Sequence, residues 1–230
     1  MVGKEKETEL AESFIQTLST STVDISADIV QVVIQELTEN TQDEIVGKIP
    51  IVKSLVALAK VGLAVRDYFF LKKLFLFIAG FQSADDDLKE KHEKAISDPK
   101  YRKEIGEHLV YTLDLLDQLS KSEALFKIYS AYLKQEINHQ EFLSYSYSIQ
   151  NIDMNSIKLL RTFYEQTKEM EATKRPDTFD VAGHINDYVL NNFAFSGLLA
   201  IGGQGLVLGG FVGFSPNPYG EKLLKILGLL

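Results

Sequence analysis

The chain has 230 residues, no cysteine and a formal charge of −8, with 45% hydrophobic and 24% charged residues. Such a composition belongs to a folded protein, long enough for one large core or two small ones, and not to a disordered tail. The missing cysteines exclude a disulfide framework, thiol catalysis and thiolate metal sites and fit a cytoplasmic protein, and the opening MVGKEKETELAES lacks the apolar core of a secretory signal.

Residues 4–20 read as an amphipathic helix, with Leu10, Phe14 and Leu18 four apart. Asp24 is placed to cap a second helix carrying Ile25, Ile29, Val33 and Leu37. The stretch from Lys48 to Gln82 then reads as one long helix, about 50 Å from end to end, with Pro50 in its first turn. Apart from two thin polar lines (Lys53, Lys60, Asp67 and Arg66, Lys73) it is apolar almost all round, which marks it for burial. It holds six basic residues against one acid, a local +5 that leaves −13 for the rest of the chain. An acidic shell disfavours non-specific nucleic-acid binding, because phosphate contacts dominate that affinity. Arg66 and Asp67 have no opposite charge three or four residues away, so the expectation is that both pair with surrounding helices or form a polar site.

After Phe81 the sequence turns polar. Residues 83–97 are expected to form a solvated arm or connector anchored by Leu88, Ala95 and Ile96. Asp98-Pro99 is a cap followed by a first-turn proline, with Tyr101, Ile105, Leu109, Leu113 and Leu116 as a stripe behind it. Ser120 and Glu123 have capping-box spacing, and Asn138 and Glu141 repeat the pattern ahead of Phe142, Leu143 and Ile149. Asp153 is placed to cap a helix carrying Ile157, Leu160 and Tyr164. Short connections make these helices antiparallel neighbours. A loop at Arg175-Pro176-Asp177 separates the C-terminal unit.

Residues 193–214, FAFSGLLAIGGQGLVLGGFVGF, carry no charge, and seven of the 22 are glycine. Such a length spans a bilayer, and Gly205, Gly209 and Gly213 form a row suited to close helix packing in lipid. Glycine disfavours helix, however, and Gly-Gly-Gln-Gly is a turn signal. The preferred reading is a β-hairpin, Leu198–Ile201 paired with Leu206–Phe214, followed by a helix from Tyr219. The expected fold is therefore mainly α: a helical bundle around a long central apolar helix (domain 1–172, central helix 50–81), with a small winged-helix-like helix–hairpin–helix unit at 178–230.

Chemistry is sparse. The four histidines are scattered without metal-type spacing, and no P-loop, GxGxxG or GxSxG is present. The turn around Asn138 lacks the oxygen ladder of a calcium loop. No catalytic residue, metal or cofactor is therefore assigned.

IPIV…AVRDYFFLKKLFLF, together with KEIGEHLVYTLDLLDQLSKSEALFKIYSAYLKQEINHQEF, resembles poorly characterised, mostly helical bacterial proteins. These are abortive-infection-like and associated with prophages and defence loci. The resemblance covers residues 45–165, and the final YGEKLLKIL looks like the end of the wing those proteins carry. It implies an anti-phage defence or mobile-element setting and transfers no mechanism. The function expected is a non-enzymatic interaction component that docks a protein partner or another copy of itself. Its candidate contact residues are Phe193, Phe195, Gly205, Gly209, Phe211, Gly213 and Phe214. The alternative is a membrane-active effector that inserts residues 193–214. A winged-helix DNA reader ranks below both, because His184 to Leu230 offers only Lys222 and Lys225 as full positive charges.

Overall fold

A computed structural model describes residues 2–20, 48–60, 68–172, 187–201 and 213–230. Within them the protein is mainly helical, with one small antiparallel sheet. The chain divides into two compact units, Met1–Glu136 and Ile137–Leu230.

The first unit contains α1 (Val2–Ser19), α2 (Pro50–Lys60), α3 (Tyr68–Gln82), α4 (Asp86–Ile96), α5 (Pro99–Leu115) and α6 (Ser120–Leu133). Leu10, Phe14 and Leu18 all point inward from α1, which packs on α2 and α5. A Cβ on Gly106 would stand 3.0 Å from the Ala11 carbonyl oxygen, so glycine is what lets α1 and α5 approach so closely. Thr17 Oγ1 of α1 accepts the Ile51 N–H at 2.9 Å, supplying one of the partners that the start of α2 lacks within its own helix. On the other side α3 packs against α5 and α6. Phe77 lies between Phe14 (5.6 Å between ring centroids) and Phe126 (5.9 Å, edge-on), joining the three layers.

Local signals set the boundaries as expected at Asp98, whose side chain accepts from the Lys100 and Tyr101 N–H groups ahead of Pro99. Two expectations are corrected. The Ser120–Glu123 capping box does not form, because Leu119 already has helical angles (φ −63°, ψ −37°) and Ser120 cannot take the extended conformation that a cap requires. Nor is residues 83–97 a solvated arm: α4 packs on α1, α5 and α6, with Leu88 and His92 buried. A neutral histidine one turn after a leucine completes an apolar stripe that a charge count overlooks.

Of the expected central helix, α2 and α3 are the described ends; residues 61–67, including Arg66 and Asp67, lie outside the described residues. So do the helix expected from Asp24 and the loop at Arg175–Asp177.

The second unit contains α7 (His139–Asn151), α8 (Ile157–Ala172, entered through a 3-10 turn capped by Asp153), α9 (Asp187–Phe195), β1 (Leu199–Ile201), β2 (Phe214–Pro216) and α10 (Pro218–Ile226). The strands pair antiparallel, Leu199 with Pro216, Ala200 with Ser215 and Ile201 with Phe214. The first strand of the expected hairpin is thus present. The described part of the second strand runs past Phe214 to Pro216, and residues 202–212 lie outside the described residues. The unit boundary also differs from the expected break at 172–178, since α7 and α8 group with the C-terminal segment. The physical reason is a set of tyrosine bonds. The Tyr164 hydroxyl of α8 lies 2.7 Å from the Leu198 carbonyl and accepts the Asn217 N–H at 3.1 Å, and the Tyr145 hydroxyl of α7 donates to the Tyr219 carbonyl at 3.2 Å.

Candidate interaction surface

The start of α7 is held by a complete capping box. The Asn138 side chain accepts from the Glu141 N–H at 2.9 Å, while the Glu141 carboxylate accepts from the Asn138 N–H at 2.8 Å. Register follows from there. Phe142, Tyr145 and Ile149 face the core, which leaves Leu143 and Tyr147, one turn apart, on the outside. Glu141 also reaches Lys222 of α10 at 2.7 Å, and that contact holds its carboxyl below the usual carboxylate range.

α9 buries Leu190 and Phe193 and exposes Tyr188 and Phe195, seven residues apart on one face. It ends at Gly197, whose φ of +79° suits glycine. The Leu198 N–H returns to the Phe193 carbonyl at 2.8 Å and the Gly197 N–H to Ala194 at 2.9 Å, the two bonds of a Schellman motif. That reversal carries the chain beside α7. Ser148 Oγ donates to the Ser196 carbonyl at 2.7 Å, so the Tyr219 hydroxyl, 2.9 Å away, must donate to Ser148. The Tyr219 ring stacks on Tyr145, with centroids 4.3 Å apart and planes 22° apart. Burial pushes the Tyr219 hydroxyl above its ordinary pKa, with the Ser148 bond opposing, and burial pushes Tyr145 up as well.

Together α7, the Phe195–Gly197 turn and Tyr219 enclose an open groove of about 530 Å³. It is lined by Leu143, Ser144, Tyr147 and Ser148 of α7, by Phe195, Ser196 and Gly197 of the turn, and by Tyr219. No side chain in it is charged at neutral pH. Phe195 is 80% exposed and Tyr147 61%, large values for aromatic rings.

The Ser148 proton goes to a carbonyl, and among the described residues no histidine or carboxylate lines the groove. Among the described residues no group of three or more metal-ligating side chains occurs, and no helix is long and apolar enough to cross a membrane.

Of the residues singled out from sequence, Phe195 is on the groove wall. Phe193 is fully buried in the core, Phe214 is half-buried in β2, and Gly213 is exposed just before it. Arg66, Asp67, Gly205, Gly209 and Phe211 lie outside the described residues. Sequence reading missed Tyr147, Ser148 and Tyr219. The available signal was Leu143 and Tyr147, apolar residues left over once Phe142, Tyr145 and Ile149 take the inner face. Comparison with protein-family models, curated proteins and solved structures gives no match for the chain.

Proposed function

We propose that the protein is a non-enzymatic interaction component that receives a protein partner, or a second copy of itself, in the groove between α7 and the Phe195–Gly197 turn. The observation that carries this reading is the exposure of Phe195 and Tyr147, both lining an uncharged groove. Exposed aromatic surface flanking a concave patch commonly marks a contact site, and aromatic anchors dominate interface energetics. Rigidity supports the same reading, because the capping box, the Schellman turn and the Ser148–Tyr219 bond hold the walls in place before a partner arrives. The reading includes a continuous central helix over 50–81, of which α2 and α3 are the ends. It also includes a winged C-terminal unit, supported by the α9–β1–β2–α10 order.

The test is photo-crosslinking from benzoylphenylalanine placed at position 195 in the full-length protein in cells, with position 111, a comparably exposed site in the first unit, as control. One dominant adduct from 195 that disappears with Tyr147→Asp is the expected result, and its mass distinguishes a second copy from another protein. Equal labelling from both positions, or no adduct from 195, would overturn the proposal.

A further inference from the structure

Helix α4, DDLKEKHEKAI, is the most polar helix of the first unit, and only Leu88 and His92 on it are buried. His92 is fully enclosed. The Phe81 ring of α3 meets it edge-on at 4.7 Å between centroids, the backbone of Ile15 in α1 lies close, and the Tyr129 hydroxyl of α6 is 2.8 Å from Nδ1. Tyr129 is hydrogen-bonded in turn to Tyr101 of α5, and Tyr101 to Tyr132 of α6. Nδ1 and the Tyr129 hydroxyl share one hydrogen bond, whose donor depends on the imidazole tautomer. Nε2 is buried with no hydrogen-bond partner among the described residues.

A second ring proton puts a cation inside a largely apolar wall, which is costly, and the nearby Ile15 backbone compensates only in part. The groups facing the ring from α1, α3, α5 and α6 are the Ile15 backbone, Phe81, Tyr101 (through Tyr129) and Tyr129. Among the described residues no carboxylate, ammonium or guanidinium contributes to its titration. Burial lowers the imidazole from 6.5 to about 4, and the Ile15 backbone offsets only part of that.

We propose that His92 is an acid-sensitive latch: protonation of this buried ring releases α4 from the first unit while the helices beneath it stay folded. α4 is the element that would yield, because one of its two buried anchors is the protonating group itself. Its neighbours are far better held; α3 alone buries eight residues. The chain is extended at Asp85, the N-cap of α4, and again at Asp98, the N-cap of α5, so α4 is not continuous with either neighbouring helix. Helices with few buried contacts populate the low end of local opening energies.

Amide hydrogen exchange of the full chain at pH 7 and pH 5, corrected for intrinsic rates, tests this. Taking 6.5 for the open state and about 4 for the closed one, the opening equilibrium of residues 86–96 should rise about 20-fold from pH 7 to pH 5. Residues of α3, α5 and α6 should hold their protection, and His92→Gln or His92→Met should abolish the pH response. If neither variant folds, the wild-type profile decides, since the latch requires one proton taken up per opening between pH 6.5 and 4. A flat profile, a response that survives in the variants, or loosening spread evenly through the first unit would each overturn the latch.

Discussion

Gly220, in the first turn of α10, packs so closely on Tyr164 that no side-chain atom fits between them: a Cβ there would run into the Tyr164 hydroxyl oxygen and the Leu198 carbonyl oxygen. The contact joins α8, the entry to β1 and the start of α10 at one point. Neither obstacle is the loose end of a side chain, because the hydroxyl is fixed between Leu198 and Asn217. Gly220→Ala should therefore destabilise the protein by about 3 kcal/mol, the upper range for overpacking a well-filled site. Tyr164→Phe, which strands the buried Leu198 carbonyl and Asn217 N–H, should cost about 2 kcal/mol. Urea unfolding followed by tyrosine fluorescence and circular dichroism would measure both, and an unchanged midpoint for Gly220→Ala would remove this contact from the account.

Two helix ends are predicted to respond to substitution with opposite sign. α9 and α6 both end in a Schellman motif, α9 with Gly197 at φ +79° and α6 with Gln135 at φ +61°, the Glu136 N–H returning to Ala131 at 2.9 Å. A left-handed backbone costs a non-glycine residue about 1 kcal/mol. Gly197→Ala should lose about that amount and Gln135→Gly should gain up to about 1 kcal/mol, glycine's greater freedom in the unfolded chain offsetting part of the gain. Thermal melts of the two variants should shift in opposite directions; shifts in the same direction would contradict the assignment.

What was legible in the sequence was local. Asn138–Glu141 and Asp98–Pro99 could be read as helix starts because each signal completes itself within four residues. Ser120–Glu123 carries the same letters and fails, since Leu119 is already helical and the Lys121 and Ser122 N–H groups bond back to Gln118 and Leu119, which moves the helix start ahead of the cap. His92 was hidden for a related reason: among seven charged neighbours in α4 its ring counts as polar, and only Phe81, Tyr129 and Ile15, brought in from other helices, make it part of the core. The groove was half visible. Phe195 stood out within the uncharged stretch, but Ser148 and Tyr219 are 71 positions apart and meet only after the chain reverses at Gly197. Tyr164 likewise finds partners 34 and 53 residues away, and no periodicity announces that.

Lys73 supplies a third prediction. Its buried ammonium donates to the carbonyls of Asp114 at 2.9 Å and Leu116 at 2.5 Å, where α5 ends and its last carbonyls lack partners within the helix. A cation at a helix C-terminus is favoured by the helix dipole, and here it also satisfies buried acceptors. Lys73→Met keeps the volume, removes the charge and leaves the carbonyls bare, which should cost about 2 kcal/mol. The exchange protection of Leu116 and neighbouring amides should fall more than that of α1. Equal protection throughout would mean that the turn holds without the lysine.

The last prediction concerns acid and the second unit. Glu141 and Glu221 both titrate below 4.5, the first chiefly through its hydrogen bond from Lys222, the second chiefly through that from Lys168, with Lys225 adding to it. Since the folded state favours the ionised carboxylates, their contribution is complete above about 4.5 and is lost as pH falls below that value through the lower folded values. Attachment of α10 should consequently be indifferent to pH between 7 and 5, the interval in which α4 is expected to open, and should weaken only below 4.5. Glu141→Gln separates charge from capping, because glutamine can fill the same place in a capping box. That variant should keep the start of α7 intact and lose the part of the acid response at α10 that depends on Lys222. Residue-resolved NMR of the α10 amides from pH 7 to pH 3 would follow this, and weakening of α10 already at pH 5.5 would refute it.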